Sequence, residues 1–294
     1  MELLNSNFLQ RFVGGTVKQD LGADYEALKA HVLARLNAVP VGTEPFYHCW
    51  IDQIFPDTFY DRLHTHMLAQ KTEGRMQPRL QDNPEFTNRR FNLIGSQDEV
   101  IAQFHALWSD QEVKAAAFRK FYLDSCIKDL ARDAVIHEEF EYTFSLPARF
   151  QNIHVDIPPK VLSFVFYLPD GQVDEETEKK NATILYDKEL VPRYSARFRR
   201  NSVCLFAAHY YSYHGFSSTI ERDALVMFLV VPSEMERWRR LRTNEDKPFD
   251  GILTAISEKM QRYPLLEYGT DPAIRDAERN ACRINAPKGR VLVD

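Results

Sequence analysis

The sequence lacks the features that mark secreted, membrane-bound and disulfide-stapled proteins. Its four cysteines include no C-x-x-C pair, and a chain of 294 residues does not need disulfides to be stable. No apolar run approaches the roughly 20 residues of a membrane span. The amino terminus has no basic segment followed by an apolar one. We therefore expect reduced thiols, no membrane association and a cytoplasmic location.

An excess of positive charge is also missing. The 37 basic residues are outnumbered by 42 acidic ones, which gives a net charge of -5 and a pI of about 6.0. Without a basic field the chain is not expected to bind nucleic acid. Two arginine-rich segments, residues 197–200 and 237–242, are interpreted as solvated surface. With 44% hydrophobic and 27% charged residues, the composition is that of a folded globular protein.

Helical periodicity dominates the first 139 residues. Apolar residues at three- and four-residue spacing predict helices over residues 22–38, near 57–69 and over 98–132. Asp110 interrupts the last of these and is expected to cap its second half. A short strand is predicted within residues 46–55.

From about residue 140 the pattern changes to short apolar strands separated by Pro, Gly, Asp and Asn. Strands are predicted over residues 140–144, 149–157, 161–168, 182–186, 202–207 and 224–231. No helix long enough for a parallel crossover lies between residues 140 and 231, which argues against a doubly wound fold. The expected class is α+β, mainly β with flanking helices.

We predict a single catalytic domain over residues 1–294. Residues 1–139 form a support region of helices and a strand, residues 140–232 the β core, and residues 233–294 a C-terminal helical extension and tail. Helices are expected near residues 234–241 and 251–263. The stretch from residue 267 is interpreted as a flexible tail, a strap over the barrel or a homodimer contact, and the sequence leaves these alternatives open.

One strand presents two metal-binding side chains together. His154 and Asp156 are two residues apart, so in a strand both point to the same side. His214 follows a later strand-like segment, and an antiparallel barrel can fold it back beside them. Two imidazoles and one carboxylate on one face of an octahedral metal suit Fe(II) oxygenases.

The ordered set of motifs resembles the 2-oxoglutarate/Fe(II)-dependent dioxygenases, particularly their prolyl-hydroxylase-like branch. The resemblance covers about residues 140–232, a third of the chain. It rests on residues 151–156 (QNIHVD), 163–169 (SFVFYLP), 183–186 (TILY), 213–215 (YHG) and Arg222. The fold that it implies is a double-stranded β-helix, a jelly-roll or cupin-like core.

The resemblance also implies roles for individual residues. His154, Asp156 and His214 become the iron ligands, and Arg222 becomes the partner of the 5-carboxylate of 2-oxoglutarate. A planar guanidinium can bind a carboxylate through two hydrogen bonds. Tyr167 either reaches the same carboxylate through its hydroxyl or is an aromatic core residue.

Three further residues are considered in or beside this site. His209 is a rival for the third iron ligand, but it is not followed by glycine and lies 13 residues before Arg222. Asn152 shares the strand parity of His154, so it is expected to face the barrel interior and contact substrate, whereas Gln151 is expected to face outward or to pack under a flank. Arg197 is interpreted as a substrate-binding residue or an exposed surface arginine.

The reaction implied by the resemblance converts 2-oxoglutarate and O2 to succinate and CO2 while a substrate C–H bond is hydroxylated. Ascorbate is a candidate supporting reductant. We expect a small-molecule substrate, such as an amino acid or a biosynthetic intermediate. A prolyl-type hydroxylase of proteins or peptides is the first alternative, with residues 170–181 as an exposed loop beside a peptide groove. A non-catalytic jelly-roll binding protein is the second.

Overall fold

A computed structural model describes most of the chain. The described residues are 22–73, 77–78, 89–92, 98–122, 136–209, 211–242, 258–259, 262–263 and 265–266. None of the helices within these ranges combines the length and the apolar character that crossing a membrane requires.

Six helices are described, four of them before the strand-rich region. They are α1 (Gly22–Ala38), α2 (Asp57–Thr72), α3 (Glu99–Ser109), α4 (Gln111–Arg119), α5 (Glu175–Lys180) and α6 (Pro232–Arg242). Asp110 separates α3 from α4, as its position in the sequence predicted. Its backbone is extended, and its carboxylate accepts hydrogen bonds from the amides of Glu112 and Val113.

Eleven strands form two antiparallel sheets. They are β1 (His48–Ile51), β2 (Gln77–Pro78), β3 (Arg89–Asn92), β4 (His137–Ser145), β5 (Arg149–His154), β6 (Lys160–Tyr167), β7 (Thr183–Tyr186), β8 (Pro192–Ala196), β9 (Val203–Ala207), β10 (His214–Ser218) and β11 (Arg222–Val230). The larger sheet has the order β1-β9-β6-β11-β4-β3-β2, and the smaller sheet has the order β5-β10-β7-β8. The predicted class, α+β with a jelly-roll core, is confirmed.

Alternation along the strands of the larger sheet places apolar side chains on both of its faces. On β6, Phe164 and Phe166 point away from the smaller sheet. They are buried against side chains of the N-terminal helices, among them Phe104 and Trp108 of α3. The opposite face of the larger sheet meets the smaller sheet, and the aromatic residues Tyr167 and Phe206 lie between them. The helices therefore cover one face of the larger sheet and leave its other face to form the barrel interior.

Two strands that complete the smaller sheet, β8 and β10, were not predicted. Their residues, PRYSA and HGFSS, carry little apolar character, so periodicity does not identify them. The predicted helix over 234–241 corresponds to α6. The helix over 251–263 and the stretch from residue 267 lie largely or entirely outside the described residues. The single-domain organisation stays a prediction.

Candidate metal centre and adjoining pocket

Two paired strands of the smaller sheet bring the predicted histidines together. His154 ends β5, His214 begins β10, and the two residues are direct partners in the antiparallel register. Their ring centroids are 4.3 Å apart. Pairing of two strands that are distant in sequence therefore supplies both imidazoles of the site.

Both histidines are held in the tautomer that leaves Nε2 free to coordinate a metal. Nδ1 of His154 lies 2.8 Å from the carbonyl oxygen of Asn152, and Nδ1 of His214 lies 2.8 Å from that of Ser212. A carbonyl oxygen can only accept, so in each ring Nδ1 carries the hydrogen. The lone pair of each Nε2 is left to coordinate a metal.

Asp156 lies two residues beyond the end of β5 and is buried. One carboxylate oxygen, Oδ2, is 3.9 Å from Nε2 of His214. Oδ1 accepts a hydrogen bond of 2.6 Å from Nζ of Lys160, and Oδ2 accepts one of 2.5 Å from Oγ of Ser163. Burial raises the pKa of Asp156, but the neighbouring Lys160, together with the two histidines whenever they are protonated, outweighs it and holds the pKa well below its usual range. The carboxyl group is therefore ionised at neutral pH.

The ligand atoms of the three residues form a compact group. One donor atom from each of His154, Asp156 and His214 lies within 4.8 Å of the others. Two neutral imidazole nitrogens and one carboxylate oxygen are the donor set of non-haem Fe(II) oxygenases, in which further coordination positions stay open. The side chains present thus fit a divalent iron ion.

A bulge in β5 decides which side chains face the site. Between paired positions, β10 advances two residues from His214 to Phe216, while β5 moves back three residues from His154 to Gln151. Gln151 therefore lines the pocket, and the prediction that it faces outward is wrong because alternation does not hold across a bulge. Asn152, which alternation placed in the interior, is half-buried and is not among the pocket-lining residues.

Gly215 permits the close approach of the two strands at this bulge. A Cβ atom at position 215 would lie 2.9 Å from the carbonyl oxygen of Gln151. That distance is shorter than real Cβ contacts, so a side chain here would push β10 away from β5. The glycine after His214 is thus needed by the backbone that aligns the two histidines.

The metal-binding group opens into a pocket of about 500 Å³, part of which is open to solvent. Polar and apolar side chains both line the pocket, but most of its exposed surface is apolar, and Arg222 is the only lysine or arginine among the described lining residues. The apolar lining consists of Val165, Phe206, Phe216, Val226 and Phe228.

Arg222 is buried, and none of the described carboxylates pairs with it. Its guanidinium donates to the carbonyl oxygen of Asn181 and to Oγ1 of Thr183, both at 2.9 Å, and lies 3.8 Å from the ring centroid of Phe216. Burial lowers the pKa of Arg222 to about 10, so it stays charged at neutral pH. A buried cation that lacks an ion pair is costly unless an anion joins it.

Tyr167 lies behind Thr183 as seen from the pocket. Its hydroxyl is 2.7 Å from Oγ1 of Thr183 and 3.2 Å from the carbonyl oxygen of Ala196. Thr183 lines the pocket and also accepts from Arg222, whereas Tyr167 is not among the lining residues. The role of Tyr167 in binding 2-oxoglutarate stays a prediction, and Thr183 is a neighbour of Arg222 for which sequence reasoning assigned no role.

His209 and Arg197 lie elsewhere. The ring of His209 packs against Tyr211 at 4.5 Å, and the residue does not belong to the metal-binding group. Burial lowers the pKa of His209 to about 3. Arg197 forms a 3.2 Å salt bridge with Glu175 of α5 and is not among the pocket-lining residues, which matches the alternative interpretation as a surface arginine.

Two residues that contact Asp156 were not predicted from the sequence. Ser163 shares the strand parity of Tyr167 on β6, a signal that would have placed it in the barrel interior. Lys160 follows the turn at Pro158 and Pro159, and no periodic pattern indicates where its side chain points.

Comparison with known proteins bears on the fold. No protein-family model matches the chain, and no curated protein matches it in sequence. A prolyl 4-hydroxylase structure from Phytophthora capsici has a TM-score of 0.50 at 14% identity, covering 92% of this chain and 99% of that one.

Two further prolyl hydroxylase structures match at slightly lower scores. One from Pseudomonas putida has a TM-score of 0.49 at 14% identity over 69% of this chain and 99% of that one. One from Trichoplax adhaerens, solved with a peptide fragment of hypoxia inducible factor, has a TM-score of 0.48 at 12% identity over 78% and 95%. The chain therefore has the double-stranded β-helix fold seen in the Phytophthora prolyl 4-hydroxylase, as the resemblance of its motifs implied.

Proposed function

We propose that the protein is a 2-oxoglutarate- and Fe(II)-dependent oxygenase. The observation that carries this proposal is one pocket that joins a two-histidine, one-carboxylate group to a buried arginine without an ion pair among the described residues. The first feature suits divalent iron, and the second suits the distal carboxylate of 2-oxoglutarate. The prolyl 4-hydroxylase fold agrees with both.

In this proposal His154, Asp156 and His214 hold the iron, and Arg222 fixes the 5-carboxylate of the cosubstrate. Iron, when bound, supplies the activation of O2 that hydroxylation of a C–H bond requires. Thr183 and the carbonyl oxygen of Asn181 hold the guanidinium in place, so its orientation is set before the cosubstrate arrives. The apolar walls formed by Val165, Val226 and Phe228 exclude water from the reacting groups.

A small molecule is the substrate class that we propose. The alternative of a peptide substrate follows from the prolyl-hydroxylase resemblance, with residues 170–181 as an exposed loop beside the peptide groove. Part of this segment is the short helix α5, which Asp174 caps by accepting from the amide of Thr177. Arg199 holds Glu178 of α5 through two hydrogen bonds of 2.7 and 2.9 Å. These contacts tie the segment to the barrel and favour the small-molecule substrate.

The first experiment tests the chemistry independently of the substrate. The protein is titrated anaerobically with Fe(II) and 2-oxoglutarate, and a visible charge-transfer band is expected from the chelated complex. Asp156→Ala is expected to abolish the band, while Arg197→Ala leaves it unchanged because Arg197 pairs with Glu175 at the surface. No band in the unmodified protein, together with no succinate formation in air, would favour a non-catalytic binding protein.

A second experiment separates the two substrate classes. Succinate release is measured with panels of free amino acids, carrier-bound acyl groups and proline-containing peptides, each at the same concentration. Stimulation by members of the first two panels is expected. Stimulation confined to peptides would overturn the small-molecule assignment and leave the oxygenase assignment intact.

A further inference from the structure

The carboxylate of Asp156 has a different partner on each oxygen. Nζ of Lys160 lies 2.6 Å from Oδ1, with only 11% of the lysine side chain and 5% of the aspartate side chain exposed. Oγ of Ser163 lies 2.5 Å from Oδ2, the oxygen that also faces Nε2 of His214. One partner is an ammonium group and the other a neutral hydroxyl, so only Lys160 would repel a cation bound to Asp156.

Lys160 is fixed in this position from several sides. Its amide donates to the carbonyl oxygen of Ile157 at 3.0 Å and closes the turn that follows Asp156. Its ammonium lies 3.3 Å from the ring centroid of Phe228, a residue of the pocket wall. Its carbonyl oxygen accepts a 2.9 Å hydrogen bond from Nζ of the buried Lys259. The backbone and side chain of Lys160 are therefore both held in place beside the candidate metal site.

We propose that Lys160 is an internal counter-ion with which the metal competes for Asp156. Its ammonium neutralises the buried carboxylate in metal-free protein and repels a divalent cation bound to the same carboxylate. Lys160 therefore stabilises the fold without metal and weakens metal binding, whereas Ser163 orients Oδ2 and strengthens metal binding. This inference rests on the proposed function, because it takes His154, Asp156 and His214 as the metal ligands.

Removal of the Lys160 side-chain charge has two effects on metal affinity, and the larger one decides whether affinity rises or falls. Leaving one partner of a buried ion pair uncompensated costs about 10²- to 10⁴-fold in the unfolding equilibrium constant, and a bound divalent cation restores the compensation. Loss of a hydrogen bond to a metal ligand weakens metal binding by about 10- to 100-fold. The charge effect is larger, so removal of the ammonium is expected to tighten metal binding by about tenfold.

The test measures the Kd of Ni(II), a redox-inert substitute for Fe(II), by isothermal titration calorimetry. Lys160→Met keeps the length of the side chain and removes its charge, and its Kd is expected to fall about tenfold. Lys160→Arg keeps the charge and is expected to bind like the unmodified protein. Ser163→Ala removes only a neutral hydrogen bond, and its Kd is expected to rise about tenfold.

Lys114→Met provides a matched control. Lys114 forms a 2.7 Å ion pair with Glu138 and is also buried, with 6% of its side chain exposed, but neither residue lines the pocket. Its loss is expected to lower the melting temperature equally with and without Ni(II). Lys160→Met is expected to lower it mainly without Ni(II), so that the Ni(II)-induced rise becomes larger than in the unmodified protein.

The outcomes are distinguishable. An unchanged or higher Kd for Lys160→Met, with normal binding by the unmodified protein, overturns the counter-ion role alone. Absence of Ni(II) binding by the unmodified protein overturns the metal site and with it this inference. If Lys160→Met does not fold without metal, refolding with and without Ni(II) replaces the titration: recovery that depends on Ni(II) supports the proposal, and failure in both conditions contradicts it.

Discussion

At the scale of residues, two histidines five positions apart have opposite environments. His214 holds a hydrogen on Nδ1 through the carbonyl oxygen of Ser212 and presents Nε2 to Asp156, whereas His209 packs in an aromatic cluster. We expect His214→Ala to weaken Ni(II) binding by more than about 100-fold, since a ligand matters more than its hydrogen-bond partner. His209→Ala is expected to retain binding. Calorimetry of both variants checks the assignment, and the reverse pattern would contradict it.

Substitution of Arg222 is expected to weaken the binding of 2-oxoglutarate. Hydrogen bonds to charged groups contribute about 1.5–3 kcal/mol each, and Arg222→Met removes both bonds that a guanidinium can form with a carboxylate. We expect the Kd of 2-oxoglutarate for the Ni(II)-loaded protein to rise about 100-fold. Arg222→Lys keeps the charge without the planar fork and is expected to be intermediate.

Arg149 supplies the control for Arg222. It begins β5, is exposed and is not among the pocket-lining residues. Arg149→Met is expected to bind 2-oxoglutarate like the unmodified protein. Unchanged affinity in Arg222→Met would refute the cosubstrate role of the buried arginine.

At the scale of elements, the pairing of β5 with β10 determines the geometry of the metal site. Gly215→Ala would place Cβ 2.9 Å from the carbonyl oxygen of Gln151. Separation of the strands moves His214 relative to His154, so we expect a loss of about 1–3 kcal/mol in the free energy of unfolding and weaker Ni(II) binding. Denaturant unfolding and calorimetry measure the two effects.

Gly171→Ala is the control for Gly215→Ala. It separates the effect of moving β10 away from β5 from the general cost of replacing a glycine by alanine. It has a φ of +79°, and nothing lies within 4 Å of a Cβ atom built on it. Gly171→Ala is expected to cost about 1 kcal/mol through its left-handed backbone conformation and to leave Ni(II) binding unchanged. Equal Ni(II) affinities in the two glycine variants would show that the bulge does not align the histidines.

At the scale of the whole molecule, buried histidines predict sensitivity to acid. Burial lowers the pKa values of His48, His105 and His209, the last to about 3. Between pH 6.5 and that value the unfolded chain binds a proton at His209 that the folded protein does not. Stability is therefore fully present above pH 6.5 and is lost as the pH falls, by about 1.4 kcal/mol per pH unit for one such histidine.

His209→Phe isolates the contribution of one group. A phenyl ring can keep the packing against Phe46 and Tyr211 but cannot be protonated. We expect a shallower loss of unfolding free energy between pH 6.5 and 4, measured by urea denaturation at intervals of half a pH unit. The lowered pKa of Asp156 also costs stability as the pH falls below about 5, but Asp156 is present in both proteins, so its contribution cancels in the difference between their slopes. Identical slopes in the two proteins would contradict the assignment.

The sequence by itself determined the kinds of elements and the chemistry of the site. Apolar periodicity predicted the N-terminal helices and most of the strands, because those elements bury one face or both. It did not predict β2 and β3 at the edge of the larger sheet. The residues His154, Asp156, His214 and Arg222 were singled out by their types, their order and the family resemblance of their motifs, and their roles stay predictions.

Only the tertiary structure decided how these parts meet. The polar strands β8 and β10 form because neighbouring strands pair with them, and the bulge that turns Gln151 inward depends on the register between β5 and β10. Lys160 and Ser163 reach Asp156 because a turn and a neighbouring strand bring them there. Such contacts arise from a turn and from the packing of strands, not from the period of one element, so residue pattern does not encode them and the packed structure does.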